Sequence, residues 1–252
     1  MRNKWDSSEE WLNNDHYSIH SIRFSPKQEP RLRCYFFHGT GNDAFYPNLD
    51  LFDALLSHGF EVYSFDLPGH GKNSKGPFDS LLLDSYLEVL QEKISEIQSQ
   101  ENLNFFFLGY SLGCYFAENL AHKFKSTSMN IAPPHGLNLV RPMLPLKEGI
   151  GFFKAYQKTS FYDFKSLIPA VIWLGRKKFP VRTSGQSMIS TVKKICENTQ
   201  YSDNSFRFYG KYDEISPVPL EIKKNDFVYP TAHFDLIFDR KMFEDIIRSA
   251  GE

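Results

Sequence analysis

A short apolar run, a glycine-containing turn and a helix-like segment recur three times in the first half of the chain. This alternation constrains the fold more than any other feature. Leu32 to Phe37 (LRCYFF) reads as a buried strand that stops at His38-Gly39. Ala44 to His58 carries apolar residues near 3.6-residue spacing and closes at Gly59, which predicts a helix. Glu61 to Phe65 (EVYSF) is the next strand, ending at Asp66-Leu67-Pro68-Gly69-His70-Gly71. Ser80 to Gln98 predicts an amphipathic helix with Leu83, Tyr86, Leu87, Leu90 and Ile94 on one face. Asn104 to Leu108 (NFFFL) predicts a third strand, and Leu112 to Phe124 a third helix. Strands alternating with helices of this length imply an α/β fold, a mostly parallel central sheet with helices on both faces. Such sheets carry ligands beyond the carboxyl ends of their strands, which points to the turns after Phe37, Phe65 and Leu108.

The rhythm breaks between about Leu137 and Gln200, where aromatics, prolines and basic residues follow no strand–helix period. It returns at Ser205 to Tyr209 (SFRFY), Asp226 to Tyr229 (DFVY) and a last helix from about Asp235 to Ala250. An insertion of this size predicts a lid between two halves of one sheet. Residues 1–136 and 201–252 are therefore expected to form the core, and 137–200 a lid that is not an independent domain.

Composition narrows the class. With 252 residues, 41% hydrophobic and 23% charged, the chain can bury a large core, which excludes wholesale disorder and fibrous folds. A net charge of −1 argues against nucleic acid as a partner. Three widely spaced cysteines (Cys34, Cys114, Cys196) suit neither a disulfide framework nor a zinc site. No apolar run approaches the roughly 20 residues that span a bilayer. The segment MRNKWDSSEEWLNNDHYS is polar and acidic, without the apolar core of a signal peptide, so a reducing, cytoplasmic setting is expected. The 24 Phe and 13 Tyr fit either a compositional habit or an apolar pocket.

The turn after Leu108 reads Gly109-Tyr110-Ser111-Leu112-Gly113, a G-x-S-x-G between a strand and a helix. A serine on so sharp a turn is held in a strained conformation with its hydroxyl above the sheet, while flanking small residues let the chain pass its neighbours. A serine hydroxyl needs a base to take its proton, and the base needs a third group to orient it. Both are available downstream: Asp213 in the turn after SFRFY and His233 in the turn after DFVY, in the chain order Ser, Asp, His. Asp66 and Asp235 remain alternative carboxylates. Only 20 positions separate Asp213 from His233, which leaves room for a short helix at most.

The chain resembles the α/β-hydrolase superfamily, in the branch of monoacylglycerol lipase-like and small carboxylesterase-like enzymes. The matching pieces are His38-Gly39-Thr40-Gly41, Asp66 to Gly71, Gly109 to Gly113, Gly210 to Pro217 and Ala232-His233-Phe234. The resemblance implies Ser111 as nucleophile, His233 as general base and acid, and Asp213 as its orienting partner. It implies an oxyanion hole at the backbone N–H groups of Thr40 and Leu112. Two positions depart from the family pattern: Cys114 stands where many relatives have a small residue, and the serine that often closes the Gly-His-Gly turn is displaced to Ser74.

The implied activity is a serine hydrolase that cleaves a carboxylic ester of an acyl or small apolar substrate through an acyl-enzyme, with no cofactor and no metal. A thioesterase, including one acting on acyl-carrier-protein-linked esters, is the nearest alternative. A non-catalytic binding protein on the same fold is the alternative from another class. Cys114, inside the helix after the turn, reads as a buried thiol. His38 and His70 read as structural parts of their glycine turns, and His16, His20, His58, His122 and His135 as incidental.

The expected lid holds eleven basic residues against three acidic ones, a surplus of eight positive charges. That asymmetry suggests an anionic partner near the site entrance, such as an acyl carrier protein, a lipid surface or a substrate with its own carboxylate, or merely a solvated basic face. Phe152, Phe153, Tyr156, Phe161 and Trp173 lie among these charges and could wall an acyl pocket.

Overall fold

Successive residues of a strand point to opposite faces, and here both faces are apolar. On strand β3 (Leu32–Phe37), Tyr35 and Phe37 enter one hydrophobic cluster while Cys34 and Phe36 enter the other. Strands β4 (Phe60–Phe65) and β5 (Phe105–Tyr110) divide in the same way, with Tyr63, Phe65 and Phe107 on one side and Val62, Phe106 and Leu108 on the other. A strand buried on both faces belongs in the middle of a sheet covered by helices. The computed structural model describes residues 5–13, 18–40, 42–45, 48–73, 82–101, 103–134, 185–213 and 216–251, with the side chains of 185–189 excepted.

Around those strands stand β1 (Trp5–Asn13), β2 (Ser18–Pro26), β6 (Thr127–Ile131), β7 (Phe206–Gly210) and β8 (Asp226–Tyr229). The sheet order is β1-β2-β4-β3-β5-β6-β7-β8. The β1–β2 and β2–β4 pairings are antiparallel and every later pairing is parallel. Helices α2 (Leu82–Gln100), α3 (Gly113–Phe124) and α4 (Gly185–Asn198) cover one face, and α1 (Leu49–Ser57) and α5 (Arg240–Ala250) the other. The described phenylalanines largely fill these two layers: Phe24, Phe36, Phe37, Phe52, Phe60 and Phe65 are fully buried.

Several element boundaries differ from the sequence reading. The first helix begins at Leu49 rather than Ala44, because side chains take the preceding backbone donors: Asp66 accepts from the Ala44 N–H at 2.7 Å and Asp43 from the Phe45 N–H at 2.9 Å. The last helix is split. A 3-10 turn at Leu236–Phe238 is followed by Asp239, whose carboxylate caps α5 by accepting from the Met242 N–H at 3.0 Å. Between Asp213 and His233 the described residues form turns and β8 but no helix, as Pro217 and Pro219 favour. Strands β1, β2 and β6 and helix α4 have no counterpart in the sequence reading.

Residues 185–200, assigned from sequence to the end of a lid, include α4, whose Val192, Ile195 and Cys196 enter the core cluster of α2 and α3. Residues 135–184, with Phe152, Phe153, Tyr156, Phe161 and Trp173, lie outside the described residues.

Candidate active site

All parallel strands end on one edge of the sheet, and the turns beyond them converge there. Ser111 follows the last residue of β5 with φ +51°, a left-handed conformation that an L-residue adopts at a steric cost. Close packing holds it. A Cβ on Gly113 would stand 2.0 Å from the Phe37 carbonyl oxygen, and one on Gly109 would stand 2.5 Å from the Cys114 Cα. The Ser111 N–H donates to the Ile131 carbonyl at 2.8 Å, tying the turn to β6. Glycines on either side of the serine are thus required by backbone contact and not by local flexibility.

The β7 and β8 turns are joined just as tightly. A Cβ on Gly210 would stand 2.7 Å from the Thr231 carbonyl, and the Tyr212 N–H donates to that carbonyl at 2.9 Å. This crossing sets Asp213 beside His233. One Asp213 oxygen lies 2.7 Å from His233 Nδ1, and the other accepts the Ser216 N–H at 2.7 Å. His233 Nε2 lies 3.2 Å from the Ser111 Oγ. Ser111, Asp213 and His233 are all buried. The structure therefore brings together three side chains that are separated by 102 and 20 positions in sequence.

Neither alternative carboxylate takes the place of Asp213. Asp66 accepts from the backbone of Ala44 and Lys72, at 2.7 and 2.8 Å, and meets His20 Nδ1 at 2.7 Å. Burial alone would raise its pKa, but the His20 hydrogen bond and backbone donors outweigh that and hold the carboxyl below its ordinary value. Asp235 precedes the 3-10 turn. His20, incidental by sequence, is thus a buried partner of Asp66, and nothing in its β2 sequence context signals the pairing.

The expected oxyanion donors lie next to the serine. Leu112 is the residue before α3, where backbone N–H groups have no intrahelical acceptor and the helix dipole favours negative charge. Thr40 follows Gly39, whose backbone lies so close that a Cβ there would stand 3.2 Å from the Ser111 Cβ. His38 is fully buried, with Nδ1 2.7 Å from the Gly39 carbonyl and Nε2 accepting the Leu67 N–H at 3.0 Å. Cys114 is a buried free thiol whose pKa burial pushes well up, so it is no nucleophile. Among the described residues no cluster of three or more His, Cys, Asp or Glu could hold a metal ion.

A strained serine at the centre of a mostly parallel sheet, with histidine and carboxylate supplied by later turns, is the architecture of an α/β-hydrolase. The chain belongs to the alpha/beta hydrolase family, whose sequence profile matches residues 34–219. No curated protein matches it in sequence. Among solved structures it is similar to a monoglyceride lipase from Saccharomyces cerevisiae in complex with a substrate analog (17% identity, 96% of this chain and 94% of that one, TM-score 0.65). It is also similar to a carboxyl esterase from Bacillus coagulans in complex with glycerol (16% identity, 96% of each chain, TM-score 0.62). A proline iminopeptidase-related protein from Thermus thermophilus is equally near (16% identity, 97% of each chain, TM-score 0.64). At such identities the likeness concerns the fold, which hosts more than one chemistry. No helix among the described residues is long and apolar enough to cross a membrane.

Proposed function

We propose that this hydrolase cleaves carboxylic esters of acyl or small apolar substrates through a Ser111 acyl-enzyme. The observation that carries the reading is the continuous chain from Asp213 through His233 to Ser111, at 2.7 and 3.2 Å, ending on a serine with φ +51°. His233 Nε2 takes the hydroxyl proton as Oγ adds to the ester carbonyl carbon. The carbonyl oxygen gains the negative charge and accepts from the Leu112 and Thr40 N–H groups, donors worth about 3–4 kcal/mol each in a dry site. The intermediate collapses by breaking the bond to the leaving alcohol oxygen, which receives the proton from His233. Water then enters and its oxygen adds to the acyl carbon as His233 takes one of its protons; the bond to Ser111 Oγ breaks, Oγ receives that proton from His233, and the acid is released. The 3.2 Å Ser111–His233 separation is within the range of an unliganded site that tightens on binding.

The aromatic residues Phe152, Phe153, Tyr156, Phe161 and Trp173 would wall the acyl pocket, and thioesters are the competing substrate class. The surplus of eight positive charges in 137–200 favours an anionic partner, an acyl carrier protein or a lipid surface. Hydrolysis of p-nitrophenyl esters of increasing chain length, with matched acyl thioesters and Ser111→Ala alongside, tests the reading. Ester turnover lost in Ser111→Ala supports it. Turnover of thioesters alone redirects it to a thioesterase. No turnover of either class points to a binding role.

A further inference from the structure

Tyr110, the residue before the strained serine, touches both halves of the site. Its side chain is buried at 1% exposure. Its ring lies under the Gly39 turn, where a Cβ on Gly39 would stand 3.0 and 3.1 Å from the Tyr110 Cδ1 and Cε1. The same ring packs against the His233 imidazole, with centroids 5.6 Å apart and planes tilted by 33°. Its hydroxyl donates to the His233 carbonyl oxygen at 3.1 Å. Burial, reinforced by the nearby Asp213 charge, pushes the phenol pKa well up, so the hydroxyl remains a donor at any working pH.

We infer that Tyr110 is a positioning residue for His233, holding both its backbone and its imidazole plane against the Ser111 hydroxyl. The inference rests on the proposed role of His233 as general base. Asp213 meets the imidazole at Nδ1, the Ser111 Oγ meets it at Nε2, and the Phe234 ring packs edge-on against it with centroids 5.2 Å apart, but none of these contacts holds the His233 backbone. The turn that carries His233 is anchored by backbone bonds on either side, from Tyr212 N–H to the Thr231 carbonyl and from Leu236 N–H to the Ala232 carbonyl. The hydroxyl of Tyr110 fixes the carbonyl of His233 itself, and the Tyr110 ring, with that of Phe234, flanks the imidazole. Small misplacement of a reacting group is costly in rate, so this support acts on turnover more than on binding.

A double-mutant cycle tests this with p-nitrophenyl acetate as the probe. Tyr110→Phe keeps the packed ring and removes one hydroxyl, so folding is retained and a thermal melt checks it. The expected result is a kcat lowered about three- to tenfold, the reach of one lost hydrogen bond, with KM within about twofold. In the His233→Ala background the same substitution leaves the residual rate unchanged, because nothing remains to position. An undiminished kcat in Tyr110→Phe overturns the inference, and so does an equal loss in the His233→Ala background, which would assign the effect to the serine turn or the Gly39 turn. A wild-type protein with no Ser111-dependent turnover would instead overturn the proposed function, and with it this inference.

Discussion

The Nε2 atom of His38 accepts the backbone N–H of Leu67 at 3.0 Å. A nitrogen that accepts carries no proton, so the neutral ring bears its hydrogen on Nδ1 and donates it to the Gly39 carbonyl 2.7 Å away. That carbonyl belongs to the same peptide as the Thr40 N–H, and in a trans peptide the two point in opposite directions. Anchoring the oxygen therefore aims the N–H. The Asn42 N–H donates to the same carbonyl at 3.3 Å, as a second anchor. A buried histidine on the turn after β3 thus orients one proposed oxyanion donor, with its tautomer set by the turn after β4.

His38→Ala should lower kcat about 10- to 100-fold with KM changed less than about threefold, somewhat less than outright removal of an oxyanion donor. Steady-state ester hydrolysis measures it, with a thermal melt to verify folding. An unchanged kcat would mean that the Thr40 N–H is held by other contacts or is not used.

Asp213→Asn leaves a side chain of the same shape but offers His233 an amide. The amide can stabilise the wrong imidazole tautomer and cannot balance the imidazolium. Turnover should fall by about four orders of magnitude with the fold intact. A loss below about tenfold would return the orienting role to another carboxylate.

Acid should destabilise the fold well before the carboxylates titrate. Burial, with the neighbouring His38 adding to it, pushes His70 down to about 3, and burial lowers His38 as well. In the unfolded chain both return to about 6.5 and bind protons that the folded state refuses. The His70 contribution is thus fully present above about pH 6.5 and is lost as pH falls towards 3, at up to about 1.4 kcal/mol per pH unit, and His38 adds a loss in the same direction. Asp66, held below its ordinary value, acts in the same direction at lower pH. Urea unfolding between pH 7.5 and 4.5 measures the slope, which should be shallower in His70→Gln. A flat profile would contradict the burial of two neutral imidazoles.

Glu118 on α3 is buried and gathers four groups. Its carboxylate accepts from Ser128 Oγ at 2.5 Å, Asn130 Nδ2 at 3.1 Å, the Ser202 N–H at 2.7 Å and Ser205 Oγ at 2.8 Å. Glu118→Ala removes the shared acceptor, so denaturant unfolding should show a loss of about 3 kcal/mol or more. A loss below about 1 kcal/mol would mean that water replaces the carboxylate.

The same network explains which strands were legible from sequence. Strands β3, β4 and β5 are apolar on both faces and end at glycine turns, so their ends, and with them the Ser111 turn, could be located to within two residues. Strand β6 reads TSMNI, with Ser128 and Asn130 buried where apolar residues would have signalled a strand. Their burial is offset by Glu118, ten and twelve residues away, which accepts from Ser128 Oγ and Asn130 Nδ2. Strand β1 is a polar, largely exposed edge that offers no alternation. Helix α4 did carry a signal, Val192, Ile195 and Cys196 at helical spacing, but the surrounding basic residues drew it into the expected lid. Ser111, Asp213 and His233 stand out as candidates in the sequence because each directly follows, or nearly follows, a strand end. Tyr110 and His20 were not, since their partners depend on how separate turns meet.

On the proposed mechanism, Ser111 is a nucleophile activated by His233. Treating the folded protein with a fluorophosphonate and mapping the adduct by mass spectrometry tests this most directly. One adduct per chain is expected, on Ser111, at a rate that falls at least about a hundredfold in His233→Ala. No adduct, an adduct on another residue, or a labelling rate indifferent to His233 would contradict it.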